Sequence, residues 1–255
     1  MKNLFKCSQT SALIVFVITI SACSPTITMV NTSCAGYKSP EFVRNDIKNK
    51  GIGIMPVLGG DEKEQYRRPM GDAIFTEFQY SFGNQVKSSR DVIEVLNEHN
   101  ISEDYSRAIN NYTISGIIPK EIVQNLGNAL QVNYLLYTRL LSTREYAQIY
   151  TGTYSSTTVN IDELYVQTQV WDVNIGDVVW EGKGGVAKLP ANQTDVITET
   201  AKGLANVVGK EQNQGPCQET SELFNALQAA TINTYLAAGG ISFVITLLLL
   251  GGMGF

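Results

Sequence analysis

The 255 residues include four cysteines and a single histidine, and the spacing of these reactive side chains removes most of the chemistry they offer. His99, in "LNEHN", has no second histidine to share a metal with, and no identifiable partners for a Ser-His-Asp relay. Its place near a predicted helix end points to a solvent-facing or capping role. No two cysteines stand as C-x-x-C, which removes the redox and zinc versions of that motif. "GIGIMPVLGG" (51–60) is rich in glycine, but Gly51 and Gly53 precede the apolar core of a predicted strand, and the G-x-G-x-x-G spacing that cradles a phosphate is absent. Asp61, Glu62 and Glu64 are the residue types a general acid and base require, although a charged loop is usually only solvated. Tyr137, Tyr146, Tyr150 and Tyr154 offer either a binding surface or packing residues for strands. No catalytic residue, metal ligand or cofactor is assigned, and the chain is not expected to be an enzyme.

One cysteine has a context. In "VITISACSP" (17–25), Cys23 follows Lys2 and Lys6, an apolar run over residues 13–20, and the small pair Ser21-Ala22, which is the order of a secretory signal. The apolar run is too short to cross about 30 Å of hydrocarbon as a helix. Ile20-Ser21-Ala22-Cys23 resembles the bacterial lipobox, whose cysteine is acylated on sulfur and becomes the first residue of the mature chain. The alternatives are an ordinary cleaved signal and the start of a buried strand. Under the lipobox reading, residues 1–22 are the signal and 23–49 a lipidated spacer. Ser24, in place of an acidic residue, resembles the default sorting to the outer membrane in lipoproteins of enterobacterial type. Cys7 leaves with the signal, so Cys34 and Cys217 remain as an even pair in an oxidising compartment, either bridged or free.

Composition fits an exported globular protein, since 44% apolar and 17% charged residues suffice for one core with extensions. The formal charge is -5; the signal carries two lysines and no acid, so the mature chain stands near -7. An acidic chain without a Lys/Arg cluster has no electrostatic footprint for nucleic acid. At the other end Glu222 is the last charged residue, and "YLAAGGISFVITLLLLGGMGF" (235–255) closes the chain without one. As a helix this segment is about 31 Å long, the thickness of the hydrocarbon layer. It is read as membrane-spanning, after a linker and helix over 211–234; a buried core helix is the alternative. The lipobox argues against a GPI-type tail. Thr234, Ala238, Ser242 and Thr246 stand four apart, a small-residue stripe suited to close packing between helices of several subunits. An apolar helix usually holds a protein in the inner membrane, whereas Cys23-Ser24 suggests the outer one. The outer membrane is expected, with the inner as the alternative.

Between these ends, residues 50–210 alternate predicted strands and helices. "GIGIMPV" is of strand length, and over 66–82 Met70, Ile74, Phe75, Phe78 and Phe82 recur at helical spacing. Ser88 or Ser89 can cap the next helix, with Val92, Val95 and Leu96 on one face. Pro119 precedes the helix "KEIVQNLGNAL", "VNYLLYTRLL" reads as a buried strand, "NIGD" turns a hairpin, and 194–208 forms a last helix. The succession "IGIMPV", "SRDVIEVLNEHN", "LGNALQVNYLLYTRLL", "VQTQVWDVNIGDVVWEG" resembles the periplasmic α/β domain of the curli-secretion pore lipoprotein and of the lipoprotein activators of penicillin-binding proteins. The resemblance implies an α+β fold, a mostly antiparallel sheet with helices packed on it, in proteins that are scaffolds, ring-forming pores or regulators. The chain departs from the pore in "STREYAQIYTGTYSSTTVNID" (142–162), where Arg144, Glu145 and Gln148 make a poor lipid face, so a surface hairpin is expected there in place of a transmembrane one. The leading expectation is a homo-oligomeric outer-membrane lipoprotein, held by lipid on Cys23 and by 235–255, that serves a secretion or envelope-assembly complex with other envelope proteins. A monomeric regulator of a peptidoglycan synthase is the competing reading. Cys23→Ala is expected to abolish incorporation of radiolabelled palmitate in growing cells; label retained by the variant would remove the lipobox.

Overall fold

Every residue from Gly51 to Met55 is buried, and a strand buried on both faces requires helices on both. The computed structural model, which describes residues 28–60, 63–151, 156–189 and 191–211, is built in that way. In chain order the elements are β1 (Thr28–Lys38), α1 (Asp46–Lys50), β2 (Ile52–Ile54), α2 (Glu64–Phe82), β3 (Val86–Lys87), α3 (Ser89–Glu98), α4 (Ser102–Ser115), α5 (Lys120–Leu130), β4 (Tyr134–Thr151), β5 (Ser156–Asp172), β6 (Asp177–Leu189) and α6 (Gln193–Val207). They form a six-stranded sheet in the order β1-β6-β5-β4-β2-β3. β4, β5 and β6 pair antiparallel. β1 also runs against β6: Ser39 donates its N–H to the Val179 carbonyl, while the Cys34 carbonyl lies beside Gly182. β2 instead pairs in parallel with both β3 and β4. The sheet is therefore mixed, with three of its five pairings antiparallel and the two made by β2 parallel.

Two helical layers cover the sheet. In the first, Met70, Ile74 and Phe78 of α2 and Val196, Ala201 and Leu204 of α6 pack with Leu136, Val166, Val170 and Trp180 of the strands. In the second, Val92 of α3, Tyr105 and Tyr112 of α4, and Val123 and Leu126 of α5 pack with Leu135, Tyr137 and Trp171. Polar latches hold the first layer. Pro69 inside α2 has no N–H for the Gln65 carbonyl, and the Gln193 amide at the start of α6 donates to that carbonyl instead, at 3.2 Å. Lys188 on β6 is ion-paired with Asp195 in the first turn of α6. At the other end of α6, Arg44 donates to the carbonyls of Ala205 (2.7 Å) and Val208 (2.5 Å), satisfying groups that a helix C-terminus leaves open.

Local sequence explains most boundaries. Of the two candidate serines, Ser88 caps α3: its Oγ accepts from Asp91 N at 3.2 Å and the Asp91 carboxylate accepts from Ser88 N at 2.7 Å. Gly176 turns the β5–β6 hairpin at φ +69°, a conformation that favours glycine. Two elements depart from the expectations. Residues 23–49 are not a spacer throughout, because Thr28–Lys38 is strand β1, and α4 occupies a stretch for which no helix is expected. The expected hairpin at 142–162 is present as a continuation of β4 and β5, paired out to Thr151 and Ser156. Among the described residues no helix is long and apolar enough to cross a membrane; residues 235–255, with Thr234, Ala238, Ser242 and Thr246, lie outside them, as do Cys23 and Cys217.

α5 approaches β5 through Gly127, where an added Cβ would lie 2.1 Å from one methyl of Val173 and 2.9 Å from its Cβ. Alanine in a helix interior is favoured over glycine by up to about 1 kcal/mol, whereas overpacking costs about 1–3 kcal/mol. The overpacking term should prevail: Gly127→Ala is expected to lower the urea midpoint, and adding Val173→Ala should recover part of the loss.

Candidate functional site

β2 and β3 are parallel neighbours whose following helices leave on opposite faces, α2 in the first layer and α3 in the second. Beyond their carboxyl ends this opens a crevice of about 350 Å³, lined by Pro56 and Val57 after β2, by Glu64, Arg67, Arg68, Gly71 and Asp72 of α2, and by Ser89, Arg90 and Ile93 of α3. Gly71 of α2 faces Ser89 of α3 across the crevice, where a Cβ would make ordinary contact with Ser89 Oγ at 3.4 Å. Ser89 Oγ donates to the Met55 carbonyl at 3.3 Å, and Arg67 Nε donates to the Val57 carbonyl at 3.1 Å, so both helices are tied to the strand they flank. Arg67 also forms an ion pair with Glu64 at 2.6 Å. Arg68 and Arg90 are exposed and have no ion pair or hydrogen bond among the described residues.

The residues singled out from sequence do not converge. His99 is exposed at the C-cap of α3, its N–H donating to the Val95 carbonyl. Of the carboxylates, Glu64 reaches the crevice, while Asp61 and Glu62 lie outside the described residues. Tyr137 is a core residue, its ring centroid 6.0 Å from that of Trp171 and 6.1 Å from that of Tyr112. Tyr146 is half-buried on β4; the side chain of Tyr150, and all of Tyr154, lie outside the described residues. Cys34 is disulfide-bonded, and its partner lies outside the described residues. Glu211, the last described residue, is ion-paired with Lys38 on β1, and Cys217, the expected partner of Cys34, is not among the described residues. Among the described residues no three His, Cys, Asp or Glu side chains gather to hold a metal ion. The sequence reading misses Arg67, Arg68 and Arg90, whose only signal is their position just after two short strands.

A second polar feature lies on the second-layer face of the sheet. The Tyr112 hydroxyl donates to the Gln169 carbonyl oxygen at 2.6 Å, and the Gln169 amide donates to Glu181 at 2.8 Å. Further along β5, Glu163 is 2% exposed and neither carboxylate oxygen has a hydrogen-bond partner among the described residues. Burial pushes its pKa up, partly offset by Arg144 directly across on β4. A buried carboxylate of raised pKa is what an acid catalyst has, but the crevice is lined by other residues.

No protein-family model matches the chain, and no curated protein matches it in sequence. Solved structures of similar shape include a PelC dodecamer from Paraburkholderia phytofirmans, at 12% identity and TM-score 0.42 over 73% of this chain and 100% of that one. Lipoprotein GNA1162 from Neisseria meningitidis is similar at 12% identity and TM-score 0.38, over 74% of this chain and 99% of that one. The LpoB C-terminal domain from Salmonella enterica gives 11% identity and TM-score 0.33, over 58% and 86% respectively.

The raised pKa of Glu163 fixes a sign. Its favourable contribution is complete below the ordinary carboxylate value and is lost as pH rises through the raised one, where the buried group must ionise. Glu163→Gln is therefore expected to raise the melting temperature at pH 7.5, by the equivalent of about 1 kcal/mol, with the difference closing toward pH 4. A variant less stable than the parent at pH 7.5 would show that the carboxylate is compensated.

Proposed function

We propose that this chain is a non-enzymatic envelope lipoprotein, anchored by lipid on Cys23 and by residues 235–255, whose α/β domain assembles with copies of itself as a scaffold or pore component at the outer membrane. The observation that carries this reading is the distal part of the β4–β5 hairpin. β6 pairs with β5 only as far as Asp162, with one further bond from Ala191 N to the Asn160 carbonyl at 2.7 Å. On the other edge, β2 and the chain after it flank β4 as far as Leu140, whose N–H donates to the Leu58 carbonyl at 2.8 Å. Beyond these limits residues 148–151 pair, among the described residues, only with 156–159. A two-stranded ribbon is marginal in water by itself, so an arm of this length is best accounted for by a surface that receives it, and a second copy supplies one.

Lipid on Cys23 would place the sheet close to the bilayer. Between Cys23 and the first residue of β1, Thr28, the chain spans at most about 18 Å. The competing reading, a monomeric regulator of a peptidoglycan synthase, uses the same anchors without self-assembly. Replacing residues 148–159 by Asn-Gly would close the hairpin on the registered pair Ala147 and Asn160. Light scattering on detergent-extracted protein is expected to show an oligomer for the parent and a monomer for the shortened variant, with the melting temperature unchanged. A monomeric parent would give first place to the regulator, and an oligomer that survives the replacement would exclude the arm as its contact.

A further inference from the structure

We propose that the crevice between α2 and α3 is a carboxylate-binding site that receives an acidic side chain or a chain end of a partner protein. The place is set by topology, because open α/β sheets bind ligands outside the carboxyl ends of parallel strands where successive connections leave on opposite faces. β2 and β3 meet that condition here. The ligand class follows from what lines the space. Arg67, Arg68 and Arg90 face Glu64 and Asp72, leaving one positive charge in excess. Arg67 is engaged by Glu64 and the Val57 carbonyl, so Arg68 and Arg90 are the guanidinium groups available, and a guanidinium fork matches the two oxygens of a carboxylate.

A multiply charged phosphate fits less well. Phosphate cradles are built from a run of free backbone N–H groups, and along the chain after β2 two of these are committed and one is missing. Pro56 has none, Met55 N donates to the Leu136 carbonyl at 3.0 Å, and Leu58 N donates to the Thr138 carbonyl at 2.9 Å. At the start of α3 the Ser88–Asp91 capping box takes up the N–H groups of Ser88 and Asp91. Glu64 and Asp72 would also repel a second negative charge. The remaining walls are apolar, with Pro56, Val57 and Ile93, the last 49% exposed. They can take up the hydrocarbon beside a carboxylate, which a bare ion lacks. The inference is independent of whether the protein is a scaffold or a regulator.

The test is calorimetric titration of the full-length, detergent-extracted protein with acetyl-Leu-Glu-Leu-amide, acetyl-Leu-Leu-Leu with a free carboxylate, acetyl-Leu-Gln-Leu-amide and inorganic pyrophosphate. At least one of the two carboxylate peptides is expected to bind at least tenfold more tightly than both the Gln peptide and pyrophosphate. The tighter of the two identifies a side chain or a chain end as the natural source. Arg68→Ala and Arg90→Ala should each weaken that binding by about tenfold, the scale of a charge-assisted hydrogen bond. The melting temperature should not change, because both side chains are exposed, and Arg107→Ala on α4 serves as a charge-matched control expected to bind as the parent does. Equal affinity for the Gln peptide, tighter binding of pyrophosphate, unchanged affinity in the Arg68→Ala/Arg90→Ala double variant, or no binding of either carboxylate peptide would each overturn the proposal.

Discussion

The burial of β2 on both faces is the constraint from which the rest of the architecture follows. Ile52 and Ile54 belong to the first-layer core and Met55 to the second. Gly53 faces the second layer in a tight space, where a Cβ would stand 3.2 Å from Leu130 Cδ1 and 3.3 Å from Leu135 Cδ2 and the leucines would have to give by a few tenths of an ångström. Three residues of strand could not be sealed from water on both sides by an antiparallel meander. Parallel pairing to β3 and β4 requires crossovers, and the crossovers supply the helices. One crossover, α2, lies on the first face; the other, α3 with α4 and α5, lies on the second and returns over β2 to β4. The crevice is where these two routes part, so the arginine cluster occupies a position that the burial of Ile52–Ile54 created.

The two layers are held by different physics. The first is latched by polar contacts between elements distant in sequence: Lys188 with Asp195, Gln193 with the Gln65 carbonyl, and Arg44 across the end of α6 with its guanidinium also over the Phe82 ring. The second relies on rings. Tyr112, Tyr137 and Trp171 sit with centroids 6.0 to 6.2 Å apart, two of the three pairs edge-to-face, a geometry worth about 0.5–1.5 kcal/mol per pair beyond the area it buries. That packing leaves the hydroxyls of Tyr105 and Tyr137 and the Trp171 indole N–H without hydrogen-bond partners among the described residues. Shape fit in this layer therefore offsets an electrostatic cost, visible in the raised pKa of Tyr105, pushed up by burial.

Where residue pattern and packing coincide, the fold is readable from sequence. The 3.6-residue recurrence of Met70, Ile74, Phe78 and Phe82 is the buried face of α2, and "NIGD" turns β5 into β6 with Gly176 at positive φ. β1 escapes because "TMVNTSCAGYK" is an edge strand without apolar alternation. α4 escapes because its buried face is carried by Tyr105, Ala108 and Tyr112, which a search for aliphatic periodicity passes over. The crevice escapes for a different reason. Arg68 and Arg90 are far apart in the chain, and no local spacing connects them until β2 and β3 are known to be neighbours. Conversely, His99 and Tyr137 drew notice by residue type and are occupied by a helix end and a core.

Strand direction connects features that sequence treats separately. β1 runs antiparallel to β6, with Ser33 beside Gly184 and Ser39 beside Val179, so its first residues lie toward Lys188. Lys188 pairs with Asp162, at the base of the β4–β5 arm. β2 is parallel to β4 and its carboxyl end points the same way. The start of β1, the arm and the crevice are therefore at one end of the sheet. A lipid on Cys23, a few residues before Thr28, would turn that end toward the bilayer. Glu211, beside Lys38, lies at the opposite end. A partner that docks at the first of these ends would meet the arm and the crevice together, and contact at one raises the effective concentration at the other.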